Sequence, residues 1–364
     1  MKNTMNITRR IRLIIDSKDK VFVKDTYQNL YRWREICFRS ANHLMTHQFV
    51  QDQIKNMVYL TEETRARLAD VKKDPDGMLV TSPRNSTYQL LGHYFKGTIP
   101  MAIISCLNRA LVNTYFKNAS QYRSGQRSLP NQKPTLPIPF NSENLRRLSS
   151  IRDGKEFSFT LFSIPFRTYL GRDTGDTRKL LNDMIEGKVK FCGSSILLNK
   201  AKITLLATFE VEKQTHTLNS EVIAEASLSL DVPVIVKIGK ATYTIGNKEE
   251  FLHRRIAIQS ARDRIRNAVK YCRRDKGRKR REKALENYRH AEKQYVENKL
   301  EMYSRELINI CLKNHAATLI LVEQQEKEAE AIEDSFVLRH WTGSGLRNKI
   351  QYKAERVGIT LIVE

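Results

Sequence analysis

The chain has 364 residues, with 63 Lys or Arg against 40 Asp or Glu, a formal net charge of +23. A hydrophobic share of 40% is enough to build cores and excludes a disordered chain. No apolar run reaches the roughly 18 residues of a membrane span, and the opening "MKNTMNITRRIRLIID" lacks the apolar stretch of a secretory signal. The expectation is therefore a cytoplasmic protein with no membrane partner.

An excess of positive charge on this scale draws polyanions over long range, which makes nucleic acid the first class of partner. The five cysteines, Cys37, Cys106, Cys192, Cys272 and Cys311, make no CxxC pair. They read as reduced structural thiols, and no zinc is expected.

In chain order, Ile7–Asp16 alternates apolar and basic residues and predicts a half-exposed strand, with Arg9, Arg10 and Arg12 as candidate phosphate contacts. From Tyr27 to Val50 the period becomes helical, with Leu30, Trp33, Ile36, Cys37 and Leu44 on the apolar side. "TEETRARLADV" at 61–71 opens like a short capped helix. "DPDG" at 74–77 and "SPRNS" at 82–86 are turn chemistry. Two more helices are expected within Ser86–Phe95 and Ile99–Tyr122. Residues 20–122 thus read as a helical module inserted after a first strand at 1–19. Arg32, Arg34, Arg39, Arg84 and Arg123 alternate there with Tyr27, Tyr31, Trp33, Tyr88 and Tyr122. Arginine with aromatic side chains suits sugar–phosphate contact and base stacking, although Trp33 at helical spacing also fits a core. Lys117 and Arg127 extend the basic set. "RNSTYQ" adds Asn85, Ser86, Thr87 and Tyr88, a helix start able to donate to phosphates and equally an ordinary cap.

Pro130, Pro134, Pro137 and Pro139 make 123–141 a stiff connector. Glu156–Phe166, Lys188–Asn199 and Ala201–Lys213 alternate with period two, around a helix at Asp176–Gly187. With the first strand, 142–219 is expected to form a small β-barrel. From 220 to 364 come three strands up to Gly246, a helix to Tyr271, a long helix at Ala284–Asn314, a strand, a helix and a strand. That order predicts an RNase H-like α/β domain and an α+β, multidomain protein.

Sites of this class hold two metal ions on carboxylates at strand ends. Asp231 in "LSLDVPV" and Glu323 ending "LILVE" stand at such places, where a strand also simply meets water. The acidic run at 326–334 follows too closely to supply a distant third ligand, so Mg²⁺ is expected to bind weakly at most. The densest basic stretch, Ala261–His290, contains Arg262, Arg266, Lys270, Arg273, Arg274, Lys276, Arg278, Lys279, Arg280 and Arg281. Held between two helices, it suits a phosphate track. No P-loop, GxGxxG or HExxH is present.

Three stretches carry a resemblance: "VNTYFKNASQYRSGQRSLPNQKPTLPIPF", "NKEEFLHRRIAIQSARDRI" and "EDSFVLRHWTGSGLRNKIQYKAERVGITLIVE". In order and spacing the chain resembles the miniature type V-F CRISPR effectors and their transposon-encoded relatives, the TnpB proteins. The resemblance implies a wedge β-barrel, a helical recognition lobe and a RuvC domain, with guide RNA and target double-stranded DNA as partners. It places Asp231 and Glu323 as the first two RuvC acids. Where the family reads Gly-Ile-Asp-Val-Gly, this chain reads Ser229-Leu230-Asp231-Val232-Pro233. The family's zinc module and third acid follow the strand matching "ITLIVE", and this chain is expected to lack both. The expectation is RNA-guided DNA binding without cleavage, used in transcription control through a sigma factor and RNA polymerase or as a repressor. Relatives also place two copies on one guide. The rival expectations are a nuclease completed by a separate chain and a guide-independent RNA-binding protein.

Overall fold

The computed structural model describes residues 4–57, 82–151, 154–171, 176–199, 202–214, 216–227, 232–271, 275–322 and 344–363. The chain divides into two compact units, residues 6–211 and residues 1–5 with 212–364. The expected helix at 61–71, the turn at 74–77, the acidic run at 326–334, and Asp231, Cys272, Arg273, Arg274 and Glu323 lie outside the described residues.

The strands lying wholly or almost wholly in the unit 6–211 are β1 (Thr4–Ile15), β2 (Ile138–Phe140), β3 (Leu145–Ile151), β4 (Glu156–Leu161), β5 (Ile164–Tyr169), β6 (Lys190–Phe191), β7 (Ser194–Asn199) and β8 (Lys202–Glu212). They form one sheet in the order β2-β7-β8-β1-β5-β4-β3, with β6 beside β8. β1 therefore sits inside a sheet built mostly from residues that follow it by more than a hundred positions. Its alternation explains this: Ile7, Ile11, Leu13 and Ile15 are buried, while Arg10 and Arg12 face outward.

After β1 come α1 (Lys20–Met57), α2 (Pro83–Phe95), α3 (Met101–Lys117) and the short α4 (Ala119–Arg123); α5 (Thr177–Ile185) follows β5. Leu30, Ile36, Cys37 and Leu44 are buried along α1, and burial pushes the Cys37 thiol up to about 12. Trp33 packs edge-on to Phe162 at 5.8 Å, a core role.

Three local features depart from the sequence reading. The last residues of the proline-rich connector are β2, where Pro139 pairs with Ser195 at the end of the sheet path; a residue without an N–H is tolerated there. The run Glu156–Phe166 is a hairpin, turned at Phe162 and Ser163 with φ of 52° and 64°. β3 was not expected at all, because a bulge between Arg146 and Ser149 breaks its alternation. Arg147 in that bulge has φ of 56°. Left-handed backbone at a residue with a Cβ costs on the order of 1 kcal/mol or more.

The unit of residues 1–5 with 212–364 holds β9 (Asn219–Ser227), β10 (Val234–Ile238), β11 (Ala241–Ile245), α6 (Lys248–Lys270), α7 (Asp275–Lys313), β12 (Ala316–Val322), α8 (Ser344–Val357) and β13 (Thr360–Val363). The sheet order is β11-β10-β9-β12-β13. The first three strands are antiparallel, and β12 joins both β9 and β13 in parallel. This is the RNase H-like layout expected. Ala224, Val236, Leu319 and Leu321 meet Leu300, Tyr303 and Leu307 of α7 and Ile350 of α8 in one core.

Gly246 is fixed by that core. Its φ is +79°, and a Cβ would lie 2.6 Å from both the Pro233 ring and the Tyr303 ring. Pro233, just before β10, thus packs against a glycine in the loop that follows β11.

Candidate nucleic-acid interface

A cation serves a phosphate only if no carboxylate already holds it. In the unit 6–211 the candidate arginines divide on this test. Arg9 shares the inward parity of Ile7 and Ile11, and it grips Asp176 with two hydrogen bonds of 2.8 and 2.6 Å. Its charge is matched, so it corrects the expectation of an open arginine. Arg10 and Arg12 are exposed without acidic partners among the described residues. The Arg12 guanidinium lies 5.3 Å over the Tyr169 ring, and that ring is half exposed, a flat cationic and aromatic platform.

On the helices Arg32 and Lys117 project to solvent, as does Arg127 in the bend after α4, braced by Asn118 at 2.8 Å. Arg34 is half-buried over Tyr31 at 4.8 Å. Arg39 pairs with Glu35 one turn away at 3.0 Å. Arg123 sits 3.4 Å from Asp52, which also accepts the Tyr115 hydroxyl at 2.9 Å. Burial, then that hydrogen bond, hold the Tyr115 phenol well above its ordinary range.

"RNSTYQ" splits along the helix. Arg84, Asn85 and Tyr88 face solvent, and Arg84 is steadied by Asn113 at 3.1 Å. Ser86 and Thr87 are fully buried. Ser86 donates to Gln51 at 2.9 Å, and Thr87 donates to Asn108 at 2.5 Å. These two hydroxyls tie α2 to α1 and α3, so they do not lie on the exposed surface expected of them.

In the other unit the basic stretch is helical. α7 begins at Asp275 and not at Ala284, so the cations stand on a helix and its neighbour instead of a connector. Glu292 accepts from Arg262 at 2.5 Å and from Arg255 at 3.5 Å, where Arg255 is nearly buried. Arg281 donates to the Ala268 carbonyl, bracing α6 against α7. Arg266 and Arg278 pair with Asp263 and Glu282 at 3.3 and 3.1 Å. Lys270, Lys276, Lys279 and Arg280 remain exposed with no acidic partner among the described residues. Tyr271, 85% exposed, stands beside Lys270. The free cations are thus one end of the α6–α7 pair, with an aromatic ring able to stack a base.

Carboxylate chemistry is placed only indirectly. Ser227 and Val322 pair in parallel register at the ends of β9 and β12, just before Asp231 and Glu323. Among the described residues no group of three or more His, Cys, Asp or Glu side chains is arranged to hold a metal ion. No described helix is long and apolar enough to cross a membrane.

No family model matches the chain. It is 26% identical over 261 residues to the CRISPR-associated endodeoxyribonuclease Cas12f1 of Sulfoacidibacillus thermotolerans, across 65% of this chain. The chain covers 59% of the length of that curated relative. Its fold matches the cryo-EM structure of a Cas12f1–sgRNA–target DNA complex with a TM-score of 0.68, over 99% of this chain and 89% of that one, at 14% identity. The chain is thus similar to Cas12f1 in sequence over part of its length and in fold over nearly all of it. A Cas12f ternary complex is a weaker likeness, with a TM-score of 0.43 and 14% identity over 95% of this chain and 75% of that one. The type V-F likeness came with few residue-level signals. Arg109, held to Asn141 at 2.6 Å over a groove of about 500 Å³, and the platform ring Tyr169 were not singled out in the sequence. Only the "RTY" alternation of β5 hinted at the latter.

Proposed function

We infer that the chain binds a structured guide RNA and, through base pairing by that guide, double-stranded target DNA. The observation that carries this reading is the set of exposed cations without acidic partners on each unit, in a chain related to Cas12f1. Sequence-blind phosphate contact by the protein, with pairing left to RNA, is the logic of such effectors. The test is to sequence the RNA that co-purifies with the protein. One scaffold with a variable end is expected, and a bulk mixture of cellular transcripts overturns the reading in favour of a guide-independent RNA-binding protein.

The finer reading is that binding serves transcription control without cleavage, by recruiting a sigma factor and RNA polymerase. Pro233 supports it. Glycine beside a metal-holding acid lets backbone approach metal and phosphate, whereas Pro233 is buried with its ring against Gly246. A repressor that occupies promoters fits the same chemistry, and a second copy on one guide is compatible with either. One observation favours a nuclease, acting alone or with a separate chain: the strand ends before Asp231 and Glu323 are paired side by side. Labelled target, guide and Mg²⁺ distinguish them. Intact target with a shifted band is expected, and cut strands overturn the non-cleaving reading. RNA polymerase pulled down only with guide and target present supports recruitment, and its absence favours the repressor.

A further inference from the structure

We propose that the bulge of β3 and the β4–β5 turn form a nucleotide-sized site for the RNA backbone, separate from the cations considered above. A cleft of about 420 Å³ is lined by Asn144, Arg146, Arg147, Thr160, Phe162 and Ser163. None of the six is acidic. Arg146 and Arg147 are exposed and make no ion pair or hydrogen bond among the described residues. Two guanidinium groups in succession repel one another unless an anion lies between them, and their planar forks match phosphate oxygens.

The backbone is bent for this arrangement. The described non-glycine residues with positive φ are Arg147, Phe162, Ser163 and His315, and the first three line this cleft. Arg146 lies opposite Thr160 on one face of the sheet, and the bulge directly after it brings in the second arginine. Bulges re-aim side chains in this way and recur beside functional sites. Phe162 is held on the turn by edge contacts to Trp33 at 5.8 Å and Phe140 at 6.4 Å.

The donors favour RNA over DNA. The hydroxyls of Thr160 and Ser163 have no hydrogen-bond partner among the described residues. The Asn144 oxygen accepts the Asn141 N–H at 3.1 Å, which leaves its amide N–H groups to donate. Hydroxyls and an amide beside two arginines can engage a phosphate and the adjacent 2′-hydroxyl together.

This site rests on the guide-RNA reading, and one series separates the two. Wild type, Arg146→Ala and Arg147→Gly are titrated, as full chains, with the RNA recovered from purified wild-type protein and with DNA of the same sequence, at several NaCl concentrations. Melting is recorded without nucleic acid. Arg147→Gly removes left-handed strain, so its melting temperature is expected to equal or exceed wild type while RNA affinity falls about tenfold, the weight of a charge-assisted hydrogen bond. Arg146→Ala is expected to lose a similar factor. Each variant lowers the log–log salt slope by roughly 0.7 to 0.9, and DNA is affected less. Unchanged RNA affinity and slope in Arg147→Gly overturn the cleft alone. Equal losses on DNA overturn the assignment to RNA. Failure of wild type to bind RNA overturns the guide-RNA reading and this site with it.

Discussion

The α6–α7 pair and the sheet of residues 6–211 are both rich in arginine, yet they hold it differently. The stretch 261–290 is far denser in charge along the chain. In space it spends much of that charge on itself: Arg262 on Glu292, Arg266 on Asp263, Arg278 on Glu282 and Arg281 on a backbone carbonyl. The sheet has fewer arginines and leaves Arg10, Arg12, Arg146 and Arg147 unmatched by acids among the described residues. Linear charge density is therefore a poor measure of phosphate affinity. A partnered arginine contributes to stability, and an unpartnered one contributes to the field that a polyanion meets.

If that division is right, stability and binding separate by residue. The largest effect is expected at Glu292. Its removal strands Arg262 at 17% side-chain exposure and takes one partner from Arg255 at 4%, and unpairing largely buried charge costs about 3 kcal/mol. Glu292→Ala should lower the melting temperature sharply, with Glu292→Gln recovering part of the difference through its amide oxygen. A melting temperature within a degree of wild type for Glu292→Ala would show that the α6–α7 charges are as free as those of the sheet. Next comes the triple variant Lys276→Ala, Lys279→Ala and Arg280→Ala. Surface changes of this type alter stability by about 0.5 kcal/mol or less. RNA affinity should fall, and the salt slope should drop by roughly 0.7 to 0.9 for each phosphate that the variant no longer neutralises. An unaltered slope in filter binding removes this end of the pair from the interface.

A smaller contrast sits within one strand. Arg9→Met should cost about 1 kcal/mol by removing two hydrogen bonds to the part-exposed Asp176, while leaving the RNA salt slope unchanged. Arg10→Ala should do the reverse. If both variants move the slope equally, side-chain parity on β1 does not sort structural from binding arginines.

That parity was legible beforehand. Arg9 keeps step with Ile7 and Ile11, so the inward position of one arginine follows from period two alone. The element order of residues 220–364 was equally legible, because each strand and helix there keeps its period. The features that escaped have physical causes. Phe162–Ser163 carries none of the Asn or Gly that marks a two-residue turn, so β4 and β5 read as one run. The β3 bulge inserts an extra residue into the alternation and hides both the strand and its arginines. Ser86 and Thr87 were read as donors to phosphate because their partners, Gln51 and Asn108, lie on other helices. Which carboxylate neutralises which arginine is a tertiary fact, and charge counting along the chain does not contain it.

The last effect is the smallest and concerns a carboxylate that holds two cations. Glu301 on α7 receives Lys349 at 2.7 Å and Lys353 at 2.9 Å from α8. Lys353 also donates to the Ser304 hydroxyl at 2.8 Å and the Glu301 carbonyl at 2.7 Å. Burial alone would raise the Glu301 carboxyl, but the hydrogen bonds and charges of the two lysines together outweigh it and hold the group below its ordinary 4.5. A depressed carboxyl stabilises the fold above its unfolded value and loses that contribution as pH falls through the folded one. The melting temperature should therefore decline below about pH 4.5, and Glu301→Gln should flatten part of that decline. Glu301 is 43% exposed, so solvent screens the pair and the change is small. A variant whose acid limb matches wild type would mean that α8 is held on α7 by Leu346 and Ile350, which are buried in the core, and not by its lysines.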